Sequence, residues 1–205
     1  MQIRQLSVSY ILDQDRILMR VRTSTDEEMA LWFTRRLCVH LWPLLHRVTT
    51  DLFAVPPNAV SDGGVDLDRL SLESRQMLVD AQRQQALQNA DFSAPYQAGE
   101  KSKRPFGEAP LLVTEINITP RPHVASGQMQ LQIHFREVLE DKPQARGFEM
   151  VLAADFVFNI MHLLENAIKQ SEWGLDVSNP FHIFGSDEES DFELTDDGKR
   201  PVYLN

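Results

Sequence analysis

Residues 128 to 135 read Gln-Met-Gln-Leu-Gln-Ile-His-Phe, with an apolar side chain at every second position and an uncharged polar one between. A period of two belongs to a β-strand, so this stretch sets one sheet face against a core and leaves the other open to solvent or to a partner. A helix would scatter the same side chains around its whole circumference.

The flanking residues extend the pattern. Leu112, Thr114, Ile116 and Ile118 alternate ahead of it, across a loop from Pro120 to Gly127. After a polar connection from Glu140 to Arg146, Phe148, Met150 and Leu152 alternate again. Asp155 then stands where a helix cap belongs, before Phe156, Ile160, Leu163, Leu164 and Ala167 at helical spacing. The order is strand, strand, strand, helix.

The start of the chain has the same order. Leu6, Val8 and Tyr10 alternate, Asp13-Gln14-Asp15 supplies turn chemistry, Ile17, Met19 and Val21 alternate, a polar turn runs from Thr23 to Glu28, and Met29, Leu31 and Phe33 follow. Thr34 is placed to cap a helix carrying Leu37, Leu41, Leu44, Leu45, Val48 and Leu52. Pro43 interrupts that helix pattern and lacks the backbone donor the ladder needs, which predicts a kink between Val39 and Pro43 or a break there. Leu31–Leu45 overlays Met150–Leu164 without a gap, so that Phe33 meets Leu152, Leu37 meets Phe156 and Leu41 meets Ile160. Apolar positions coincide where identities do not, the mark of an internal duplication.

The expected fold is therefore α+β, with two similar strand-strand-strand-helix halves, residues 1–53 and 111–173, built on antiparallel sheet. Residues 54–110 join them. This segment begins as a linker marked by Pro56-Pro57 and Gly63-Gly64, and continues from Ser71 to Ala90 as a glutamine-rich helix with a thin stripe of Leu72, Val79 and Ala86. So narrow a stripe suits a helix lying over a surface. Residues 93–110 have the Pro, Gly and charge content of a flexible loop.

Residues 174–205 form an acidic tail. Of the net charge of −10, Asp187, Glu188, Glu189, Asp191, Glu193, Asp196 and Asp197 supply −7. The first fifty residues lean the other way, through Arg4, Arg16, Arg20, Arg22, Arg35, Arg36 and Arg47. No run approaches the ~20 apolar residues that span a bilayer, and the alternating start is unlike a signal peptide. With a single cysteine, Cys38, no disulfide closes within the chain, and a cytoplasmic setting is the expectation.

There is no glycine-rich phosphate loop, no G-x-S-x-G, no H-E-x-x-H, and the acidic run lacks calcium-loop spacing. No catalytic residue, cofactor or metal is expected. Two features point to binding instead. Arg35 and Arg36 fall in the first turn of a helix, where unpaired N–H groups already make the potential positive; with Arg20 or Arg22 they would hold an anion or an acidic partner. Trp32 projects from the strand face opposite Leu31 and Phe33 and is a candidate partner anchor. In the tail, Phe181, Ile183, Phe184 and Phe192 are apolar points set beside or among charges such as Glu188 and Asp191, suited to docking either on the arginine-rich half of the chain or on a basic partner.

The first expectation is a non-enzymatic protein-interaction module, an adaptor, regulator or assembly factor that works through a sheet edge, the arginine-rich helix start and the tail, with self-association a further option. The alternative is a single-stranded nucleic-acid binder held in check by its acidic tail. Strand triplets followed by a helix resemble, in architecture only, the Whirly-type and PUR-type binders, and the resemblance implies sheets that accept unstacked bases. An enzyme of unrecognised type is the third.

Overall fold

The computed structural model describes residues 2–54, 71–97, 99, 102–140 and 145–178. Nearly all of the linker and the tail positions Phe181, Ile183, Phe184, Glu188, Asp191 and Phe192 lie outside them. The fold is α+β. Strands β1 (Ile3–Ile11), β2 (Arg16–Thr23) and β3 (Glu28–Phe33) lead into helix α1 (Arg35–Phe53), and helix α2 (Leu72–Asn89) follows. The short β4 (Leu111–Leu112), then β5 (Glu115–Pro122), β6 (Met129–Glu137), β7 (Arg146–Ala153) and helix α3 (Ala154–Ser171) complete it.

The strands form two sheets, β1-β2-β3-β4 and β5-β6-β7, in which every pairing is antiparallel except that of β4 with β3. The halves agree in register. Met19 stands between Val8 and Leu31 in the first, and Ile133 between Ile118 and Met150 in the second. The overlay extends along the helices: Cys38, Leu41, Trp42, Leu45 and Thr49 are buried on α1, and so are their counterparts Val157, Ile160, Met161, Leu164 and Ile168 on α3.

The apolar faces of both halves meet in one core. Phe33 stacks on Phe135 with ring centroids 5.8 Å apart, and Phe53 meets Phe158 edge-on at the same separation. α3 lies along β1 of the first half, not only over its own strands. α2 rests on α1 and α3 through Val79 and Ala86. Its polar residues hold it there: Gln82 Nε2 donates to the Phe53 carbonyl at 2.7 Å, capping the end of α1, and Arg83 pairs with Glu165 of α3.

Several local expectations need correction. α1 runs through Pro43 without interruption, because buried Leu41, Trp42 and Leu45 pin the helix on both sides of the missing hydrogen bond. Thr34 does cap it, accepting from the Leu37 N–H at 3.2 Å. Asp155 is not the cap of α3; Ala153 holds that position without a side-chain bond, and Asp155 sits in the first turn, where the helix dipole favours a carboxylate. The alternation from Leu112 to Ile118 is not one strand. Leu111 and Val113 are buried, and the phase slips at Thr114 as the chain passes between sheets: Val113 N–H bonds the Trp32 carbonyl, and Thr114 N–H bonds the Arg136 carbonyl. Leu72 and Phe156 point outward at 60% and 45% exposure, so neither belongs to its helix's packed stripe.

Candidate functional site

α1 positions three distinct surfaces because successive residues step about 100° around a helix. One side, Cys38, Leu41 and Leu45, enters the core. Burial pushes the Cys38 thiol up to about 12, which leaves it protonated and inert. A second side carries Arg35 and Trp42, seven residues apart. The third is an exposed stripe of Arg36, His40, Leu44 and Arg47 at i, i+4, i+8 and i+11.

The Arg35–Trp42 side is a latch on the segment after α3. Glu172 and Gly174 adopt left-handed φ angles of 53° and 71°, turning the chain back toward α1. Arg35 Nε then donates to the Trp173 carbonyl at 3.1 Å, and Trp42 Nε1 donates to the Val177 carbonyl at 3.1 Å. Trp173 itself stands edge-on to Tyr10, and its indole N–H donates to Asp15 Oδ1 at 2.6 Å. Tyr10 OH donates to the same oxygen at 2.9 Å. These two donors, followed by the nearby Arg35 charge, hold the Asp15 carboxyl below its ordinary range.

On the opposite flank an open groove of about 500 Å³ runs between the start of α1 and the passage from β4 to β5. Leu37, Leu41, Leu44, Leu112, Val113 and Ile116 give it an apolar floor, while Thr34, Arg36, His40 and Thr114 line its polar parts. Leu44 is 40% exposed there. Arg36 is exposed and has no ion-pair partner among the described residues. The first turn of α1 holds no acidic side chain to balance it. Apolar floor, cationic rim and helix N-terminus together suit a segment that is both apolar and acidic.

The five positions singled out in the sequence do not converge. Arg36 lines the groove, and Arg35 serves the latch. Arg20, Arg22 and Trp32 lie on the outer face of the first sheet, and Arg22, paired across the strands with Glu28, stands at the far end of β3 from the helix start. Arg22 is engaged by Asp26 at 2.5 Å and by the Gln97 carbonyl at 3.0 Å. Residues 95–97 cross this face as a strap: the Gln5 amide donates to the Pro95 carbonyl and accepts from the Gln97 N–H. Tyr96 sits over the arginines, its phenol pushed up to about 12 by burial and then by the Glu28 charge.

The second sheet's outer face carries Asn117, Thr119, Gln132, His134 and Glu149, and no helix among the described residues covers it. Sequence reasoning missed a buried charge. Glu137, 4% exposed, pairs with Arg146 at 2.5 Å and accepts from the Leu112 N–H at 2.9 Å, while Arg146 also donates to the Phe106 carbonyl. The signal was a glutamate at an inward-facing position of an alternating strand. Among the described residues no three His, Cys, Asp or Glu side chains come together to hold a metal, and no helix is long and apolar enough to cross a membrane. No family model matches the chain, and neither a curated protein nor a solved structure matches it.

Proposed function

We propose that the protein is a non-enzymatic interaction module of the cytoplasm, and that it docks an extended segment of a partner protein in the groove between α1 and β5. The observation that carries this reading is the exposed Leu44 flanked on one helical stripe by Arg36, His40 and Arg47, above an apolar floor. An apolar residue from the partner would fill the floor, and acidic neighbours would meet the arginines; truncating such an anchor typically costs ~2 kcal/mol or more of binding. The single-stranded nucleic-acid reading has less support, because Arg22 and Arg35 already have internal partners and, among the described residues, no aromatic stripe lies on an open sheet face.

The test is a peptide-display panel screened against the full-length chain with Phe181, Ile183 and Phe184 replaced by serine, so that its own tail offers no apolar competitor. Enrichment of peptides pairing bulky apolar with acidic residues, lost on adding Leu44→Asp or Arg36→Glu, is the expected result. Enrichment indifferent to both substitutions, or none, would overturn the reading. Retention of a single-stranded oligonucleotide in place of peptides would move the protein to the other class.

A further inference from the structure

We infer that the groove on α1 has a resident occupant, the chain's own segment from Phe181 to Phe184, with the acidic run that follows lying against the cationic stripe of the same helix. The inference rests on the docking role proposed for the groove and names what regulates it. Three observations carry it.

The first is where the described chain ends. The Val177 carbonyl is held by Trp42 Nε1, and Val177 is buried, so the tail departs from a fixed point on α1. Trp42 and Leu44, two residues apart, project from nearly opposite flanks of the helix. The tail therefore starts on the far side of the helix that forms the groove.

The second is length. A helix with its side chains is ~10–12 Å across. Three residues separate Val177 from Phe181, four steps of extended chain at ~3.3–3.6 Å each, or ~13–14 Å. Passing around half of α1 takes ~16–19 Å, so the backbone at Phe181 is still on the way round, and the six and seven steps to Ile183 and Phe184, ~20–25 Å, are what bring apolar side chains to the groove.

The third is chemistry. The crossing passes over the exposed stripe of Arg36, His40 and Arg47. The tail supplies three bulky apolar residues within Phe181–Phe184 and then Asp187, Glu188, Glu189 and Asp191. Apolar floor meets apolar side chains, and the carboxylates that follow meet the cationic stripe once the chain turns back from the groove at Gly185-Ser186. A tethered segment of this kind acts at an effective concentration on the order of millimolar, enough to keep out a partner segment of modest affinity.

The experiment uses two full-length chains, wild type and the form carrying Phe181→Ser, Ile183→Ser and Phe184→Ser. A labelled synthetic peptide of residues 179–197 is titrated into each and followed by fluorescence anisotropy. The peptide should bind the substituted chain about tenfold or more tighter than wild type, the factor expected when a cis segment at ~1 mM competes with a site of ~0.1 mM. Binding should weaken as salt rises and vanish with Leu44→Asp. A benzoylphenylalanine placed at Leu44 of the otherwise wild-type chain should crosslink within the molecule to the 179–184 segment. Equal binding to both chains, or a crosslink only between molecules, would overturn the inference. If the display panel finds a groove-dependent peptide while the tail peptide fails to bind, the docking role stands and the resident occupant falls; if both fail, the docking role falls with it.

Discussion

The indole N–H of Trp173 donates to the Asp15 carboxylate at 2.6 Å, joining the turn after the last helix to the first hairpin across nearly the whole described chain. The carboxylate is held below its ordinary range by Trp173, Tyr10 and Arg35, so it stabilises the fold at any pH above the unfolded carboxylate value and loses that effect as pH falls through the lowered folded value. Trp173 emission, taken as wild type minus Trp173→Phe, should stay constant from neutrality to about pH 4 and shift only below it. Asp15→Ala should shift it at neutral pH. A transition near pH 6 would assign the latch to another group.

His46 makes a second pH window. It lies edge-on to Trp42 with centroids 4.7 Å apart, and faces Asp80 and Arg83 of α2 and Glu165 of α3. Burial first, and then Arg83, pulls its pKa down to about 4. A histidine kept neutral by the fold destabilises it once protonation becomes favourable in the unfolded chain. Stability should therefore fall as pH drops from about 6.5, the unfolded value, toward 4, and His46→Leu should flatten that slope in urea titrations. An unchanged slope would place the linkage elsewhere.

Glu137 is the most consequential buried charge described. Glu137→Ala leaves Arg146 without its carboxylate and the Leu112 N–H without an acceptor, and should cost about 3 kcal/mol in chemical unfolding, the low end for a broken buried pair because Arg146 is partly exposed. Glu137→Gln, which keeps an acceptor, should cost less. A loss under about 1 kcal/mol for the alanine variant would show that water replaces the carboxylate.

The common core predicts cooperative unfolding. Leu45→Ala in the first half and Leu164→Ala in the second should each cost about 2–5 kcal/mol and each lower one transition, seen alike in far- and near-ultraviolet circular dichroism. Two separated transitions, each moved by one substitution only, would mean that the halves fold apart.

Much of this architecture was legible in the residues. Alternation from Met129 to Phe135 and from Ile17 to Val21 marked strands, Thr34 marked a helix start, and the overlay of Leu31–Leu45 on Met150–Leu164 marked equivalent helix faces that the structure buries alike. The slip at Thr114 escaped, because both phases of Leu111 to Ile118 are apolar enough to alternate and only pairing with Trp32 and then Arg136 selects between them. Of the kink or break expected at Pro43, the break does not occur, since local propensity of ~3 kcal/mol is smaller than the burial of the side chains around it.

The candidate site was legible only in part. Local sequence determined that Arg35 and Arg36 share the first turn of a helix, and that the tail joins apolar and acidic residues. Tertiary structure alone sent Arg35 to Trp173, placed Arg36 beside Leu44 and Ile116, and left Arg22 under a strap at the far end of the sheet. Periodicity reports which way a side chain leaves its own element; which distant element waits there depends on how the sheets and helices of the described residues close on one core, and no short window of sequence contains that.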